Sequence, residues 1–246
     1  MRPALLVAAL ALAACQEVEP TPDATLSDAA QPGATATPES PTTPDVPFPD
    51  AAESDTLTVL FFGDSLTAGY GLPDPDLAYP ALVGAEIESA LDVPVRVVNA
   101  GVSGETSAGG RSRIAWALRQ TTPDVFVLAL GSNDGLRGTD PAATRANLSA
   151  ILDTVADAAP DARLVVAGQE ALPNYGADYT SRFRAVFPDV AREHGAALVP
   201  FLLDGVAGVP RLNQSDGVHP TAEGQRIMAE TVAEVVVPVA REASGA

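Results

Sequence analysis

The sequence predicts an α/β domain in which helices cover both faces of a parallel β-sheet. Short uncharged apolar runs, typical of buried strands, recur in the second part of the chain. Segments with apolar residues at helical spacing separate these runs, and such alternation is typical of a parallel sheet with helices on both sides. The part of the chain that carries this pattern, residues 56–246, is long enough for one domain with a sizeable core.

Residues 1–15 are predicted to be a lipoprotein signal peptide. One arginine precedes the apolar run Ala4–Leu12, which is far shorter than the roughly 20 residues that a membrane span needs. Leu12-Ala-Ala-Cys15 resembles a bacterial lipobox, which implies that Cys15 is lipidated and becomes the new N-terminus. Cleavage after an Ala-x-Ala site, giving a secreted protein without lipid, is the alternative. The position of the only cysteine favours lipidation.

Residues 16–55 are predicted to be a disordered acidic tether. Between Gln16 and Ser54 lie eight prolines, eight acidic residues and no basic residue. Such a segment cannot bury enough apolar surface to fold, and its like charges keep it extended. Gln16 directly after the cysteine resembles an outer-membrane sorting context. The expected location is therefore the cell envelope, with the protein exported, lipid-anchored and facing the periplasm from the outer membrane.

Five strands are predicted for the domain, and together they form a parallel sheet in a three-layer α/β/α sandwich. The first, Leu57–Phe62, has large apolar side chains and no charge, which indicates a central strand. The predicted strands are residues 57–62, 94–98, 124–130, 162–168 and 196–200.

Two helices have clear sequence signals. Asp140-Pro141 predicts a helix start, and Pro160 predicts its end. The apolar stripe of this helix consists of Leu148, Ile151, Leu152 and Val155. The last helix is predicted to begin just beyond Pro220, with a core stripe made of Met228, Val232, Val235 and Val236. Trp116, near Ile114 and Leu118, is also expected to pack inside the domain.

Gly63-Asp64-Ser65 directly follows the first strand and places Ser65 at the start of a helix. In open α/β sheets, ligands bind beyond the carboxyl ends of the strands. Gly63 permits the abrupt turn, and backbone N–H groups of the helix start surround the serine. Ser65 is therefore a candidate nucleophile. The alternative is an ordinary turn that caps a helix.

A serine nucleophile needs a base, and the chain has two histidines. His194, followed by a glycine, is typical of a helix C-terminus and is expected to be structural. His219 lies three residues after Asp216, so the carboxylate can fold back onto one ring nitrogen and leave the other for Ser65. A surface histidine in an Asx-turn is the alternative.

Two further residues are candidate donors to an oxyanion. Gly104 follows the second strand, and its N–H can approach a ligand closely because no side chain intervenes. Asn133 follows the third strand, and its amide can donate in the same direction. A plain turn is the alternative for Ser132–Gly135. With the N–H of Ser65, these groups would form an oxyanion hole.

These motifs resemble those of the GDSL/SGNH hydrolases. The matched blocks are Gly63-Asp-Ser-Leu66, Gly104 within Asn99–Thr106, Gly131-Ser-Asn-Asp134 and Asp216-x-x-His219. The likeness to bacterial arylesterases and acyl-CoA thioesterase/lysophospholipase enzymes extends through Asn133–Gly138, Leu172–Gly176 and Pro200–Leu203. One departure is Ser132 in place of a second glycine. The resemblance implies a flavodoxin-like fold, catalysis by Ser65, His219 and Asp216, and no cofactor.

Composition excludes several other kinds of chemistry. All 14 basic residues are arginine, which excludes a Schiff-base lysine, a P-loop lysine and a Ser-Lys dyad. The chain has one cysteine and two histidines that lie far apart, so a metal site built from these residues is not expected. A net charge of −18 argues against nucleic-acid binding. The expected partner is a small ester or lipid substrate, and contact with a membrane is expected only through the N-terminal lipid.

The resulting hypothesis is a serine esterase acting on aryl esters, acyl thioesters or lysophospholipids. A polysaccharide O-acetyl esterase is one alternative, and a non-catalytic lipid-binding envelope protein is another. Residues 135–138, Gly-Leu-Arg-Gly, are expected to be a loop, which is either a mobile lid over the acyl chain or a rigid turn.

Overall fold

The computed structural model describes residues 56–245. Its strands are β1 (Leu57–Gly63), β2 (Val95–Gly101), β3 (Val125–Ala129), β4 (Arg163–Ala167) and β5 (Ala197–Val199). Its α-helices are α1 (Ser65–Ala68), α2 (Tyr79–Leu91), α3 (Ser107–Gln120), α4 (Ser132–Arg137), α5 (Pro141–Ala158), α6 (Ala177–Glu193) and α7 (Ala222–Ser244). Three short 3₁₀ turns are Pro75–Leu77, Pro173–Tyr175 and Pro210–Leu212.

The five strands form one parallel sheet in the order β2-β1-β3-β4-β5. Val59 of β1, for example, pairs with Val97 of β2 on one side and with Val125 of β3 on the other. From β1 the chain adds β2 on one side, and it then crosses over to add β3, β4 and β5 on the other side. The strand order therefore reverses between β1 and β3, and the carboxyl ends of these two strands flank the crevice where flavodoxin-like folds bind ligands. The predicted five-stranded parallel sheet of flavodoxin-like order is confirmed.

Two hydrophobic cores lie on opposite faces of the sheet. Because side chains alternate along a strand, Val59 and Phe61 of β1 join one core, and Leu60 and Phe62 join the other. The first core also contains apolar residues of α2 and α7, and the second contains those of α3, α5 and α6. The sheet is thus buried on both faces, as predicted for a three-layer sandwich.

The two helices with clear sequence signals begin where expected. Asp140 caps α5 by accepting a hydrogen bond from the Ala142 N–H at 3.1 Å, and Pro141 is the first helical residue. Thr221 caps α7 directly after Pro220. The four stripe residues of α5 are fully buried, and so are Met228, Val232 and Val236 of α7.

The prediction that Trp116 packs inside the domain is wrong. Its relative exposure is 58%, whereas Ile114 is buried in the second core. Two residues along an α-helix correspond to a rotation of about 200°, so the face that carries Ile114 points away from the face that carries Trp116. The second strand also differs from the prediction, because β2 continues to Gly101 instead of ending at residue 98.

The predicted signal peptide, the tether and the lipidation site Cys15 all lie outside the described residues. Within residues 56–245, every helix is too short or too polar to cross a membrane.

Candidate active site

Ser65 lies at the carboxyl end of β1 as the first residue of α1. The turn before it needs glycine, since a Cβ on Gly63 would lie 2.0 Å from Thr67 Oγ1 and 2.8 Å from the Ala129 carbonyl oxygen. Asp64 caps the helix and accepts a hydrogen bond from the Leu66 N–H at 3.0 Å. As the first residue of α1, Ser65 has a backbone N–H with no acceptor within the helix. The hydroxyl is therefore held beside a free donor.

His219 and Asp216 form a hydrogen-bonded chain that ends on Ser65. His219 Nε2 lies 2.9 Å from Ser65 Oγ, and His219 Nδ1 lies 2.7 Å from Asp216 Oδ2. The other carboxylate oxygen, Oδ1, accepts hydrogen bonds from the N–H groups of His219 and Val218 at 3.0 Å and 2.9 Å. The Asx-turn considered as an alternative is thus present, and it fixes the histidine so that its ring reaches the serine.

Electrostatics keep Asp216 ionised. The backbone N–H of His219, the His219 ring and the Val218 N–H together hold the pKa of this carboxyl well below its usual range. A permanently negative carboxylate favours the tautomer that carries a proton on Nδ1 and leaves Nε2 free to accept one. The arrangement can therefore remove a proton from the Ser65 hydroxyl.

Tyr70 is a neighbour of the imidazole that the sequence analysis missed. Its ring centroid lies 4.5 Å from that of His219. Gln214 connects the two segments, because its side-chain amide donates to the Tyr70 carbonyl at 2.7 Å and its backbone N–H donates to the His219 carbonyl at 2.7 Å. Gly69 and Gly71, which flank the tyrosine, were the only local signal of a special turn.

Gly104 and Asn133 lie on the same cleft as Ser65. Gly104 has φ of 78°, a conformation that favours glycine, and its N–H donates to no acceptor among residues 56–245. The Asn133 amide donates to the Glu105 carbonyl at 3.0 Å and lies 3.5 Å from Asp64 Oδ2. One N–H of this amide is thus held by a hydrogen bond to Glu105, while the other makes only a weak hydrogen bond and can donate to a ligand.

An ion pair supports this part of the cleft. Arg113 Nε donates to both carboxylate oxygens of Glu105, at 2.7 Å and 2.8 Å, and Arg113 Nη2 donates to the Ala100 carbonyl at 2.8 Å. The guanidinium also lies 3.9 Å from the ring centroid of Phe62. Because the Glu105 carbonyl accepts from the Asn133 amide, this pair fixes the loop that carries Gly104 and orients the asparagine. The spacing of Glu105 and Arg113 along the sequence did not indicate this ion pair.

Asp64 is fully buried beneath the site. Burial raises the pKa of its carboxyl to about 6, although the hydrogen bond from the Leu66 N–H and one from the Ser132 side chain act in the opposite direction.

The cleft that contains these groups has a volume of about 730 Å³. Much of its wall is apolar, and large apolar members are Leu136, Leu172, Phe201, Leu203 and Val218. These come from α4 and from the segments that follow β4, β5 and the last 3₁₀ turn. Such a wall suits a hydrocarbon group.

The expected loop at residues 135–138 is instead the last turn of α4 and its Gly138 C-cap. Gly135 packs against the ring of Phe183, so this segment is joined to the second core. Tyr175 Oη donates to the Leu136 carbonyl at 2.9 Å, and Arg137 Nη2 donates to the Gly104 carbonyl at 3.1 Å. These contacts favour the rigid alternative over a mobile lid, with Leu136 in the cleft wall.

His194 occupies the structural position expected for it, at the C-cap of α6. Its Nδ1 lies 3.7 Å from Asp153 Oδ1 of α5, and it is not part of the cleft wall. Within the part of the chain that the structure describes, no cluster of His, Cys, Asp and Glu side chains is arranged to hold a metal ion.

Comparison with known proteins gives a consistent result. Residues 61–227 match the model of the GDSL-like Lipase/Acylhydrolase family. The esterase TesA of Pseudomonas aeruginosa is 38% identical over 74% of this chain and 89% of its own length. The arylesterase of Vibrio mimicus is 37% identical over 76% and 92% of the two chains. The thioesterase 1/protease 1/lysophospholipase L1 of Escherichia coli K12 is 38% identical over 77% and 86%.

Solved structures give the same picture. A crystal structure of TesA superposes with a TM-score of 0.69 at 38% identity, covering 74% of this chain and 99% of the other.

Proposed function

The chain belongs to the GDSL-like lipase/acylhydrolase family, and we propose that it hydrolyses carboxylic esters and thioesters through an acyl-enzyme on Ser65. The observation that carries this proposal is the hydrogen-bonded chain from Asp216 through His219 to Ser65 at the wall of an apolar cleft.

The proposed reaction begins when Ser65 Oγ attacks the acyl carbonyl while His219 Nε2 takes the hydroxyl proton. Asp216 stabilises the imidazolium that forms. The protonated His219 then gives its proton to the departing alcohol or thiol, which leaves the acyl group on Ser65. In the second half, His219 activates a water molecule, and the same steps release the carboxylic acid and restore Ser65.

Three donors are proposed for the oxyanion: the N–H groups of Ser65 and Gly104, and the side-chain amide of Asn133. The free N–H of Gly104 and the anchored amide of Asn133 support this assignment. Donors that are already oriented stabilise the developing charge without reorganisation during the reaction.

The substrate classes proposed are aryl esters, acyl thioesters and lysophospholipids, as the names of the relatives suggest. The apolar wall supports an acyl chain longer than acetyl, because an acetyl group would leave most of a cleft of about 730 Å³ unfilled. This favours an esterase for longer acyl chains over the polysaccharide O-acetyl esterase considered above.

We also propose that the protein is exported and anchored in the cell envelope by lipid on Cys15, with residues 16–55 as the tether. The support for this proposal is the sequence of residues 1–55, with its short apolar run, its one cysteine and its acidic proline-rich segment. In the native host, Cys15→Ser is expected to move the protein from the membrane fraction to the soluble fraction. Unchanged fractionation would contradict the anchor without affecting the catalytic proposal.

Steady-state kinetics with p-nitrophenyl esters of increasing acyl length test the catalytic proposal. The unmodified protein is expected to turn these esters over, and Ser65→Ala is expected to lose at least a thousandfold in kcat. Ser112→Ala, at an exposed site on α3, is the matched control and is expected to keep wild-type kinetics. Residual activity of Ser65→Ala within tenfold of wild type would overturn the assignment.

A further inference from the structure

Tyr70 is an exposed aromatic residue in the wall of the catalytic cleft, and the proposed reaction gives it no role. Its relative exposure is 52%. Its ring centroid lies 4.5 Å from that of His219, and the two ring planes are inclined by 43°. A large apolar surface is therefore open to a bound molecule directly beside the catalytic base.

The backbone fixes Tyr70 on the same framework as His219. The Tyr70 N–H donates to the Ser65 carbonyl at 3.0 Å, which ties the tyrosine to the helix that begins with the nucleophile. The Gln214 side-chain amide donates to the Tyr70 carbonyl at 2.7 Å and to the Pro220 carbonyl at 3.0 Å, so it joins the tyrosine to the turn that carries His219. The ring is thus attached at a fixed place relative to both reacting side chains, as a group that selects a ligand needs to be.

The chemistry of ester cleavage brings the leaving group to the Tyr70 side of the site. His219 Nε2 returns a proton to the departing oxygen, so this oxygen comes within hydrogen-bond reach of Nε2, at about 3 Å. A ring bonded to that oxygen can then lie within the range of about 4.5–7 Å between centroids in which aromatic rings attract each other. An aryl leaving group can therefore pair with Tyr70, whereas an alkyl group gains only the burial of its surface.

The other side chains around His219 also suit an apolar leaving group. Val218, the residue before His219, is exposed in the same cleft wall. None of the arginines among residues 56–245 belongs to the lining of the cleft, and Arg137 donates to the Gly104 carbonyl from outside it. A phosphate-bearing leaving group would gain most from a cation in that lining. The surroundings of His219 therefore suit an aromatic ring better than a phosphorylated headgroup.

We propose that Tyr70 is a specificity-determining residue, and that its ring selects esters with an aromatic leaving group by packing against that group during acylation. The inference rests on the proposed ester hydrolysis and names the leaving-group class for it. Esters of alkyl alcohols remain substrates, but they form no aromatic pair with Tyr70.

The test compares phenyl octanoate with cyclohexyl octanoate, which share the acyl group and differ in whether the departing ring is aromatic. Values of kcat/KM are measured, because this parameter covers the acylation step, in which the leaving group is still bound. The variants are Tyr70→Leu, which removes the ring, and Tyr70→Phe, which keeps it. Trp116→Leu is the matched control, since it removes an exposed aromatic ring of α3 that is not part of the cleft wall.

The quantity compared is the ratio of kcat/KM for the phenyl ester to kcat/KM for the cyclohexyl ester. Dividing the ratio of a variant by that of the wild type cancels the intrinsic reactivity of the two esters. In Tyr70→Leu the ratio is expected to fall about fivefold or more, because the aromatic pair is lost for the phenyl ester alone. In Tyr70→Phe and in Trp116→Leu it is expected to stay within about twofold of the wild-type value.

Two outcomes would overturn the proposal while the proposed function stands. The first is an unchanged ratio in Tyr70→Leu, even if both esters are hydrolysed more slowly, because Tyr70 would then act only through His219. The second is a fall in Tyr70→Phe as large as that in Tyr70→Leu, because the hydroxyl rather than the ring would then select the substrate.

Two further results separate the other failures. If the wild type hydrolyses neither ester, the proposed function fails and this inference fails with it. If Tyr70→Leu does not fold, the wild type alone is tested with phenyl octanoate and hexafluoroisopropyl octanoate, whose leaving groups have similar acidity. The value of kcat/KM is then expected to be at least about fivefold higher for the phenyl ester, and equal values would overturn the proposal.

Discussion

At the scale of single residues, the two histidines differ in what their ring nitrogens contact. His219 lies between Ser65 and Asp216, whereas His194 contacts only an exposed carboxylate of α5 at 3.7 Å. We expect His219→Ala to lose at least about a thousandfold in kcat, because Ser65 then has no base. His194→Ala is the matched control and is expected to change kcat by less than about twofold. An essential His194 would show that the catalytic site lies elsewhere.

The buried carboxyl of Asp64 predicts a pH dependence of stability. Burial raises its pKa to about 6 in the folded protein, above the value of about 3.9 in an unfolded chain. Between these two values the folded state binds more protons than the unfolded state, so stability falls as pH rises from about 4 to about 6. The contribution of this group is fully present below the lower value and is lost above the upper one.

Thermal unfolding of wild type and Asp64→Asn across this range measures the effect. Asparagine is also a good helix cap, so the variant keeps the turn while losing the titration. Other ionisable groups titrate in both proteins, so the difference between the two profiles reports on Asp64. We expect the wild type to lose about 2–3 kcal/mol relative to the variant between pH 4 and pH 7. Parallel profiles would contradict the raised pKa.

The chemistry of individual residues decided which of them the sequence could identify. Ser65 and His219 could be identified from the sequence because the chain has two histidines and because Asp216 precedes one of them at a spacing that permits a hydrogen bond. Tyr70 could not be identified from the sequence, because its role depends on the contact of its ring with that of His219. Such a contact leaves no pattern along the chain.

At the scale of secondary-structure elements, the loop between β2 and α3 depends on the ion pair between Glu105 and Arg113. The pair fixes the segment that carries Gly104 and orients the amide of Asn133. We expect Arg113→Met to lower kcat about tenfold with little change in KM, because the donors it positions act mainly in the transition state.

Arg182→Met is the control for this variant. Arg182 forms an exposed ion pair with Asp178 within α6, and pairs of this kind contribute little to stability. Its kinetics are expected to match the wild type. Equal values of kcat in Arg113→Met and wild type would show that the ion pair does not position the donors.

Helix α4 predicts a chain-length effect. Leu136 lies in the cleft wall, and its helix is tied to Tyr175 and to the loop of Gly104. Leu136→Ala is expected to lower kcat/KM for octanoyl esters about fivefold or more and to leave acetyl esters nearly unchanged, because only a long chain covers the lost apolar surface. Equal losses for both esters would mean that Leu136 does not contact the acyl chain.

Elements differed in how well the sequence defined them. Buried parallel strands have dense apolar runs, so all five were predicted to within a few residues. Helix α4 was missed because its six residues, Ser-Asn-Asp-Gly-Leu-Arg, have the composition of a turn. Its stability comes from tertiary contacts, such as that of Gly135 with Phe183. The orientation of Trp116 was wrong because apolar neighbours were counted without their angular positions on the helix.

At the scale of the whole molecule, the sheet order explains why distant parts of the chain meet. Strands β1 and β3 are adjacent and parallel, so Ser65 and Asn133 follow their carboxyl ends at the same edge of the sheet. The turn before α7 carries His219 to that edge, 154 residues away from Ser65 along the chain. The predicted fold class therefore already implied that these groups could share one crevice.

Covalent labelling of Ser65 tests the central claim most directly. The purified protein is treated with an alkyl fluorophosphonate, whose phosphorus is attacked by an activated serine, and peptide mass spectrometry then locates the adduct. The proposed mechanism predicts one adduct, on Ser65, that appears as esterase activity disappears. It also predicts no adduct in His219→Ala under the same conditions. An adduct on another residue, or full loss of activity with Ser65 unmodified, would contradict the mechanism.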